Sequence, residues 1–234
     1  MKDNRRQFLQ KIGLGTAGIA AAPFVTKAGS TAANNTLDDD DQYLEIGDDI
    51  ALAETSFGKI RGYKLNGVFT FLGVPYGANT SGQNRFMPPQ KPEKWEGIKD
   101  MIWWGNTAPQ IMDNRYANVH YSFADHWNYD DLSEDCLKLN VWTNAIADGK
   151  KRPVLVWLHG GGFTNGNGIE QDGYHGENIA KNGDIVFVSI NHRLGPIGFT
   201  DLSGVGGSKY ANSGNVSMLD IIASLQWVKD NISN

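Results

Sequence analysis

The sequence has a single cysteine and no long apolar run near its N-terminus, and each shortage excludes a class of structure. Cys136 is the one cysteine among 234 residues, which excludes an internal disulfide and any multi-cysteine metal site. The uncharged stretch at residues 12–26 contains Pro23 and is shorter than the roughly 20 apolar residues that span a bilayer. A stable membrane anchor is therefore not expected.

The chain also lacks an excess of positive charge. Its formal net charge is −5, and the first thirty residues hold five of the 21 Lys and Arg and one of the 26 Asp and Glu, which leaves a net −9 for the remainder. Nucleic acids and anionic membranes bind basic patches, so neither is an expected partner. With 40% hydrophobic residues, the chain has enough apolar material for one core and too little length for two ordinary domains.

The first thirty residues have the layout of an export signal. Residues 1–11 are polar and basic, residues 12–26 are uncharged, and small residues follow at 28–32. Paired Arg5 and Arg6 precede Phe8-Leu9, as in the twin-arginine signal. We therefore expect residues 1–30 to be a Tat-type signal peptide that is read by the Tat machinery, so that the protein is exported to the periplasm or secreted. Residues 31–46, which include four consecutive aspartates, are predicted to be an acidic linker.

One motif within this segment is misleading. Residues 13–18 spell Gly-x-Gly-x-x-Gly, the dinucleotide fingerprint. Phosphate binding by that motif needs a preceding strand and a surrounding βαβ unit, and the sequence offers neither there. No nucleotide cofactor is expected.

The remaining residues favour an α/β fold. Three short β-prone runs at 51–55, 59–63 and 68–74 predict a small antiparallel meander. Val154–Leu158 and residues 185–190 are continuously apolar and β-branched, which is typical of strands buried on both faces of a parallel sheet. We therefore expect the meander to lead into a mostly parallel central sheet with flanking helices.

Two helices are predicted beside this sheet. Residues 176–182 are expected to form the crossover between the two apolar strands. Ser217, with Asp220 three residues later, resembles a capping box for a C-terminal helix. The apolar residues that predict the face of that helix on the sheet are Met218, Ile221, Ile222, Leu225, Val228 and Ile232.

A glycine-rich motif follows directly on the first apolar strand. It reads His159-Gly160-Gly161-Gly162-Phe163. Acyl transfer builds negative charge on a carbonyl oxygen, and backbone N–H groups stabilise that charge. Glycines let the backbone approach the oxygen closely, and an HGGG motif after a strand serves this purpose in lipases and esterases. On the motif alone, an ordinary glycine-rich turn remains the alternative.

Six sequence blocks in order carry a resemblance to a known family. They are Phe71-Leu72-Gly73-Val74-Pro75-Tyr76, Arg85-Phe86 before Pro88-Pro89, Ser133-Glu134-Asp135-Cys136-Leu137, His159 to Phe163, Asn191-His192-Arg193-Leu194-Gly195-Pro196-Ile197-Gly198-Phe199, and Gly214-Asn215 with Leu219-Asp220 and Leu225-Gln226-Trp227-Val228. The chain thus resembles the type-B carboxylesterases and cholinesterases. That resemblance implies that residues 47–234 are the N-terminal part, about a third, of an α/β-hydrolase domain, and that the fold is incomplete.

The resemblance also implies roles for individual residues. Gly161 and Gly162 would be oxyanion-hole donors supported by Gly160, in a serine esterase that acts on small-molecule carboxylic esters without metal or cofactor. Arg85 and Glu134 would form a buried structural salt bridge. A Trp-Asn pair in cholinesterases binds quaternary ammonium by cation–π attraction, and the residue here that would correspond is Trp127.

Several departures from the family pattern limit these expectations. No Gly-x-Ser-x-Gly occurs, and no histidine matches the family's catalytic base, so the chain by itself is predicted to be inactive. Cys136 matches a family half-cystine, but no cysteine occurs near residues 109–110, where its partner is expected. His192 replaces a tyrosine that many relatives carry. The family's strand order predicts that Val154–Leu158 is an open edge in this chain.

Two other functions are compatible with parts of the sequence. Ser56 and Lys59 fit the Ser-x-x-Lys motif of β-lactamase-like esterases, but the Ser-Asp-Asn and Lys-Thr-Gly elements of that chemistry are absent. The alternative from a different class is a cholinesterase-like, non-catalytic binding or adhesion protein on the same fold, because fold alone does not establish activity.

Overall fold

The computed structural model describes residues 43–111 and 131–233. The predicted export signal, the linker up to residue 42, and Trp127 lie outside the described residues. The described elements, in chain order, are β1 (Leu44–Glu45), β2 (Leu52–Thr55), β3 (Gly58–Arg61), β4 (Tyr63–Leu65), β5 (Val68–Pro75), β6 (Ile98–Asp100), β7 (Lys138–Thr143), β8 (Val154–Leu158), α1 (Glu177–Gly183), β9 (Val186–Ile190), α2 (Gly195–Phe199), α3 (Ser203–Gly206) and α4 (Val216–Asn231).

These strands form two sheets. The larger has the order β1-β4-β5-β7-β9-β8, and the smaller has the order β2-β3-β6. In the larger sheet only β8 and β9 pair in parallel among the described residues, and the other neighbouring pairs are antiparallel. The described sheet is therefore mixed, where the sequence pattern predicts mostly parallel pairing. Parallel neighbours need a crossover connection, and α1 supplies one only between β8 and β9.

The predicted meander is divided between the two sheets. Strands β2 and β3 form a hairpin in the smaller sheet, whereas β4 and β5 form one in the larger sheet. The chain passes between the sheets at Gly62, whose N–H donates to the carbonyl of Ala51 at 2.8 Å. A Cβ at this position would lie 2.0 Å from the carbonyl oxygen of Thr70. Only glycine fits there, so the run at 59–63 is interrupted rather than a single strand.

Two helices flank the larger sheet. The predicted crossover helix is confirmed as α1, and α4 packs through Trp227 and Val228 into the core cluster that includes Val188 and Ile190 of β9. The predicted capping box is wrong, since α4 begins after Asn215 without a side-chain cap and Asp220 instead contacts Arg193. Across residues 43–111 and 131–233, no helix has the length and apolar character needed to cross a membrane.

The buried face of α4 is more polar than the sequence pattern predicts. Ile222 and Leu225 are 60% and 47% exposed, although both were expected to lie on the sheet. Their places in the interior are taken by polar side chains, namely Ser217, Asp220, Ser224 and Asn231. The apolar period alone therefore misplaces part of the contact face, because buried polar residues with partners occupy it.

Strand β8 forms one edge of the larger sheet. Its neighbour within the described residues is β9, and the four residues Val154, Leu155, Trp157 and Leu158 are between 38% and 46% exposed. Every residue of β9 is buried. Alternate residues of a strand point to opposite faces, so β8 is uncovered on both faces as well as along its outer edge. The open apolar edge that the sequence predicts is confirmed for the part of the chain that the structure describes.

Candidate active site

The glycine motif lies at the carboxyl end of β8. Because β8 and β9 are parallel neighbours, the segments that follow them emerge at the same edge of the sheet, where open α/β sheets bind ligands. The segment that follows the motif is bound to Gln110, which accepts a hydrogen bond from the N–H of Gly166 at 2.8 Å and donates one to the carbonyl of Gly166 at 3.0 Å. The N–H of Gly195 donates to the carbonyl of Phe163 at 2.7 Å. The loop is therefore held by partners from two other parts of the chain.

Gly161 occupies a position that only glycine fits. Its φ is +113°, and an added Cβ would lie 1.9 Å from the carbonyl oxygen of Asn165. Its own carbonyl accepts from the N–H groups of Thr164 and Asn165 at 3.1 Å and 3.3 Å, which forms a tight turn. The glycine is thus required by the backbone shape of the loop, independently of any ligand.

Gly160 and Gly162 border open space. No heavy atom lies within 4 Å of a Cβ built on either residue, and Gly162 has a φ of +61°. Within the described parts of the chain, no group accepts a hydrogen bond from the N–H of Gly161 or of Gly162. Consecutive backbone donors without protein acceptors, in a loop of fixed shape, are the groups that can stabilise a developing oxyanion.

Two histidine rings stack directly beneath this loop. The centroids of His159 and His192 are 4.8 Å apart, with an interplanar angle of 10°. The Nδ1 of His159 lies 2.8 Å from the carbonyl oxygen of Gly160. The Nδ1 of His192 lies 3.0 Å from the carbonyl of Arg193 and 2.9 Å from the Oγ of Ser217 on α4. Burial lowers the pKa of His192 below its ordinary value, and the hydrogen bond to the Arg193 carbonyl and the nearby Asp220 oppose the shift.

The motifs in the sequence do not mark His192 or Ser217 as part of this site. A pattern in the sequence could have found the histidine. His159 is the first residue after β8 and His192 the second after β9, and the carboxyl ends of neighbouring parallel strands lie side by side. No comparable pattern exists for Ser217, which reaches His192 only through the tertiary packing of α4.

An ion pair that is buried on both sides lies next to the stacked rings. The side chains of Arg193 and Asp220 are 1% and 0% exposed, respectively. The guanidinium donates from Nε and Nη2 to the carboxylate at 2.8 Å and 2.6 Å, and its Nη1 donates to the carbonyl of Met87 at 2.8 Å. Burial raises the pKa of Asp220, and its hydrogen bonds to Arg193 oppose that rise. The pair joins the segment after β9 to helix α4.

The structure brings Arg85 and Glu134 together, but not in a buried setting. The Nε of Arg85 donates to one carboxylate oxygen at 2.6 Å, and its Nη2 donates to the other at 2.5 Å. The expected contact is confirmed. The expected burial is wrong for Arg85, whose side chain is 48% exposed, while that of Glu134 is 15% exposed. The guanidinium therefore keeps much of its hydration, since it reaches the carboxylate from the solvent side.

Several other residues with nucleophilic, imidazole or indole side chains lie away from the loop or outside the described residues. Cys136 is buried as a free thiol, and burial raises its pKa, so it is a poor nucleophile. Ser56 lies in the exposed turn between β2 and β3, where its N–H donates to the side chain of Asn231 at 2.6 Å. His175 stacks on Trp104 with ring centroids 5.1 Å apart. His120 and His126, like Trp127, are not among the described residues.

A cavity of about 390 Å³ lies at the opposite end of the parallel strands. Its lining includes Val154 and Val186, the first residues of β8 and β9, together with Trp227 and Asn231 near the end of α4. The glycine loop follows the last residue of β8, so this cavity is separated from it by the length of the strand. We therefore place the candidate chemistry at the loop and not in the cavity.

Comparison with known proteins shows which family this chain is similar to. The profile of the carboxylesterase family matches residues 49–234. Para-nitrobenzyl esterase of Bacillus subtilis (strain 168) is 38% identical over 182 residues, which are 78% of this chain and 35% of that protein. Phenmedipham hydrolase of Pseudarthrobacter oxydans is 36% identical over 182 residues, covering 78% of this chain and 34% of its own. The chain spans about a third of the length of these relatives.

Solved structures give the same result. An esterase from Clostridium hathewayi, described as able to hydrolyse aliphatic aromatic polyesters, is 38% identical and superposes with a TM-score of 0.74 over 82% of this chain and 37% of its own. A carboxylesterase of Geobacillus stearothermophilus is 40% identical with a TM-score of 0.68, over 78% of this chain and 34% of its own. Both the sequence profile and the fold agree, and the chain belongs to the carboxylesterase family of α/β-hydrolase fold.

Proposed function

We propose that this chain carries the oxyanion-stabilising part of a serine esterase that hydrolyses small-molecule carboxylic esters through an acyl-enzyme. The observation that carries the proposal is the shape of the loop after β8. Gly161 is fixed in a conformation that excludes other residues, and its N–H and that of Gly162 have no acceptor among the described residues. These two donors would bind the carbonyl oxygen of the ester as it becomes negatively charged.

The proposed reaction also needs a catalytic triad. A serine attacks the acyl carbon, a histidine takes its proton, and a carboxylate orients that histidine. The sequence has no Gly-x-Ser-x-Gly, so the proposal for this chain by itself is that it does not turn over esters. The paired arginines near the N-terminus support a further part of the proposal, that the protein is exported by the Tat machinery.

The test compares two proteins. One is the 234-residue chain, and the other is the extended protein, in which these residues replace the matching third of para-nitrobenzyl esterase. A chromogenic short-chain ester measures turnover, and a serine-reactive organophosphate measures labelling. We expect both signals only in the extended protein. Hydrolysis by the short chain that is abolished on changing Ser56 would assign different chemistry to it, and a folded extended protein without esterase activity would refute the proposal.

A further inference from the structure

One of the two stacked histidines contacts a peptide unit of the glycine loop. A carbonyl oxygen has no proton to give, so the 2.8 Å contact between His159 Nδ1 and the Gly160 carbonyl requires the proton to be on Nδ1. The peptide unit between Gly160 and Gly161 is planar and trans, which makes its C=O and N–H point in opposite directions. Holding the Gly160 carbonyl towards the imidazole therefore turns the Gly161 N–H away from it, to the other side of the loop.

The ring of His159 is in turn held by His192. His192 is 2% exposed, and its ring lies nearly parallel to that of His159. Phe163, at the end of the motif, also packs against His192 with centroids 6.0 Å apart, and the ring of Phe199 on α2 packs edge-on against Phe163 at 5.5 Å. One imidazole thus contacts the residues on both sides of the three glycines.

His192 is itself anchored to helix α4. Its Nδ1 faces the carbonyl of Arg193, which can only accept, so the neutral ring carries its proton on Nδ1. Ser217 Oγ, at 2.9 Å from the same nitrogen, comes from the first turn of α4. Among the described residues, the carboxylate of Asp220 acts electrostatically on the ring, and this carboxylate is paired with the guanidinium of Arg193. His159 is the titratable group that stacks on the ring.

We propose that His192 is a positioning residue that orients the Gly161 N–H through the ring of His159, and that it does so only while it is neutral. The inference rests on the proposed esterase function for what the oriented N–H is used for. Protonating His192 would place a charge on a ring that is 2% exposed, where little water is available to solvate it, so conformations in which the ring reaches solvent would be favoured. The stack would then open and the Gly160 carbonyl would lose its fixed direction.

The expected pH dependence follows from the direction of the pKa shift. The pKa of His192 in the folded chain is lower than its ordinary value of 6.5, so the unfolded or opened form binds the proton more readily. The contribution of the stack is therefore complete above about pH 6.5 and is lost as the pH falls through that value towards the lowered pKa. The loop should be well ordered at neutral pH and loosen on the acid side.

The test measures hydrogen exchange of the loop amides in the 234-residue chain at low micromolar concentration. The N–H groups of Thr164, Asn165 and Gly166 are hydrogen-bonded within the loop or to Gln110, so their protection reports its order. After correction for intrinsic exchange rates, we expect protection to fall between about pH 7.5 and 5.5. His192→Ala should abolish it at both pH values, whereas His192→Phe, which keeps a flat ring, should restore protection and remove its pH dependence.

A matched control and an activity measurement separate positioning from general destabilisation. His175→Phe changes another stacked histidine and should leave loop protection unchanged. Peptides from the second half of α4 serve as an internal reference, and their protection should not change in any variant. In the extended protein, His192→Ala should lower kcat by about 10²-fold with KM within about threefold, since a small misplacement of catalytic groups costs about that much.

Three results would overturn the proposal. They are unchanged loop protection in His192→Ala, a pH dependence that persists in His192→Phe, and a wild-type kcat for His192→Ala. An extended protein that hydrolyses no ester would instead refute the proposed function, and the exchange measurement on the shorter chain would still decide whether His192 positions the loop.

Discussion

Changing Asp220 to Asn removes the charge from a buried ion pair while keeping the size of the side chain. The carboxylate accepts hydrogen bonds from Nε, Nη2 and the backbone N–H of Arg193. The substitution leaves the guanidinium of Arg193, which is 1% exposed, without its counter-charge. The free energy of unfolding should therefore fall substantially.

The magnitude follows from burial, and the chain provides a control. Breaking a buried pair from one side typically costs about 3–5 kcal/mol, because the remaining charge is stranded. Glu134→Gln makes the same carboxylate-to-amide change against Arg85, which also uses two guanidinium nitrogens. Since Arg85 is 48% exposed, solvent screens the loss, and the expected cost is much smaller. Two ion pairs of similar geometry are thus expected to differ several-fold in their contribution.

Equilibrium urea unfolding, followed by circular dichroism at low protein concentration, measures both variants. The double variant Arg193→Met/Asp220→Leu should recover most of the loss, because well-packed apolar replacements of buried ion pairs are often neutral or stabilising. The reasoning fails if Asp220→Asn costs less than about 1 kcal/mol, or if Glu134→Gln costs as much as Asp220→Asn. In the second case the exposure of Arg85 would not determine the strength of its pair.

Three further predictions concern the loop, the edge strand and the N-terminus. Gly161→Ala should lower ester turnover of the extended protein by about 10²–10³-fold, since the new Cβ displaces an oxyanion donor; near-normal kcat would contradict that role. Leu155→Lys should raise the soluble fraction of the 234-residue chain by placing a charge on the open edge, because an open apolar edge promotes aggregation, while Val205→Lys, at an 88% exposed site outside the strands, should not; equal effects would show that the edge does not limit solubility. Arg5→Lys with Arg6→Lys should abolish export in cell fractionation, and unchanged periplasmic accumulation would rule out the Tat assignment.

The features that the sequence predicts correctly are those whose causes are local. Continuous apolar runs identify β8 and β9, and the short segment between them is α1, because strand and crossover lengths are constrained by the sheet. The need for glycine at position 161 also has a local cause, since an added Cβ there would clash with Asn165, four residues away. The division of the β meander between two sheets is not local. It depends on the approach of Thr70 to Gly62, and no pattern within residues 59–63 contains that contact.

The errors on helix α4 have a common physical origin, and they bear on the site. Ser217 and Asp220 have the spacing of a capping box, and a hydroxyl or carboxylate can satisfy backbone N–H groups at the start of a helix. In the folded chain both side chains have stronger or more buried partners in the segment after β9, namely His192 and Arg193. A buried charge must be paired, so the ion pair takes precedence over a cap that water can replace. As a result, the first turn of α4 and the glycine loop are joined through adjacent residues of one segment. Substitutions at the start of this helix should therefore alter the glycine loop, although the sequence alone gives these residues only a role in capping the helix.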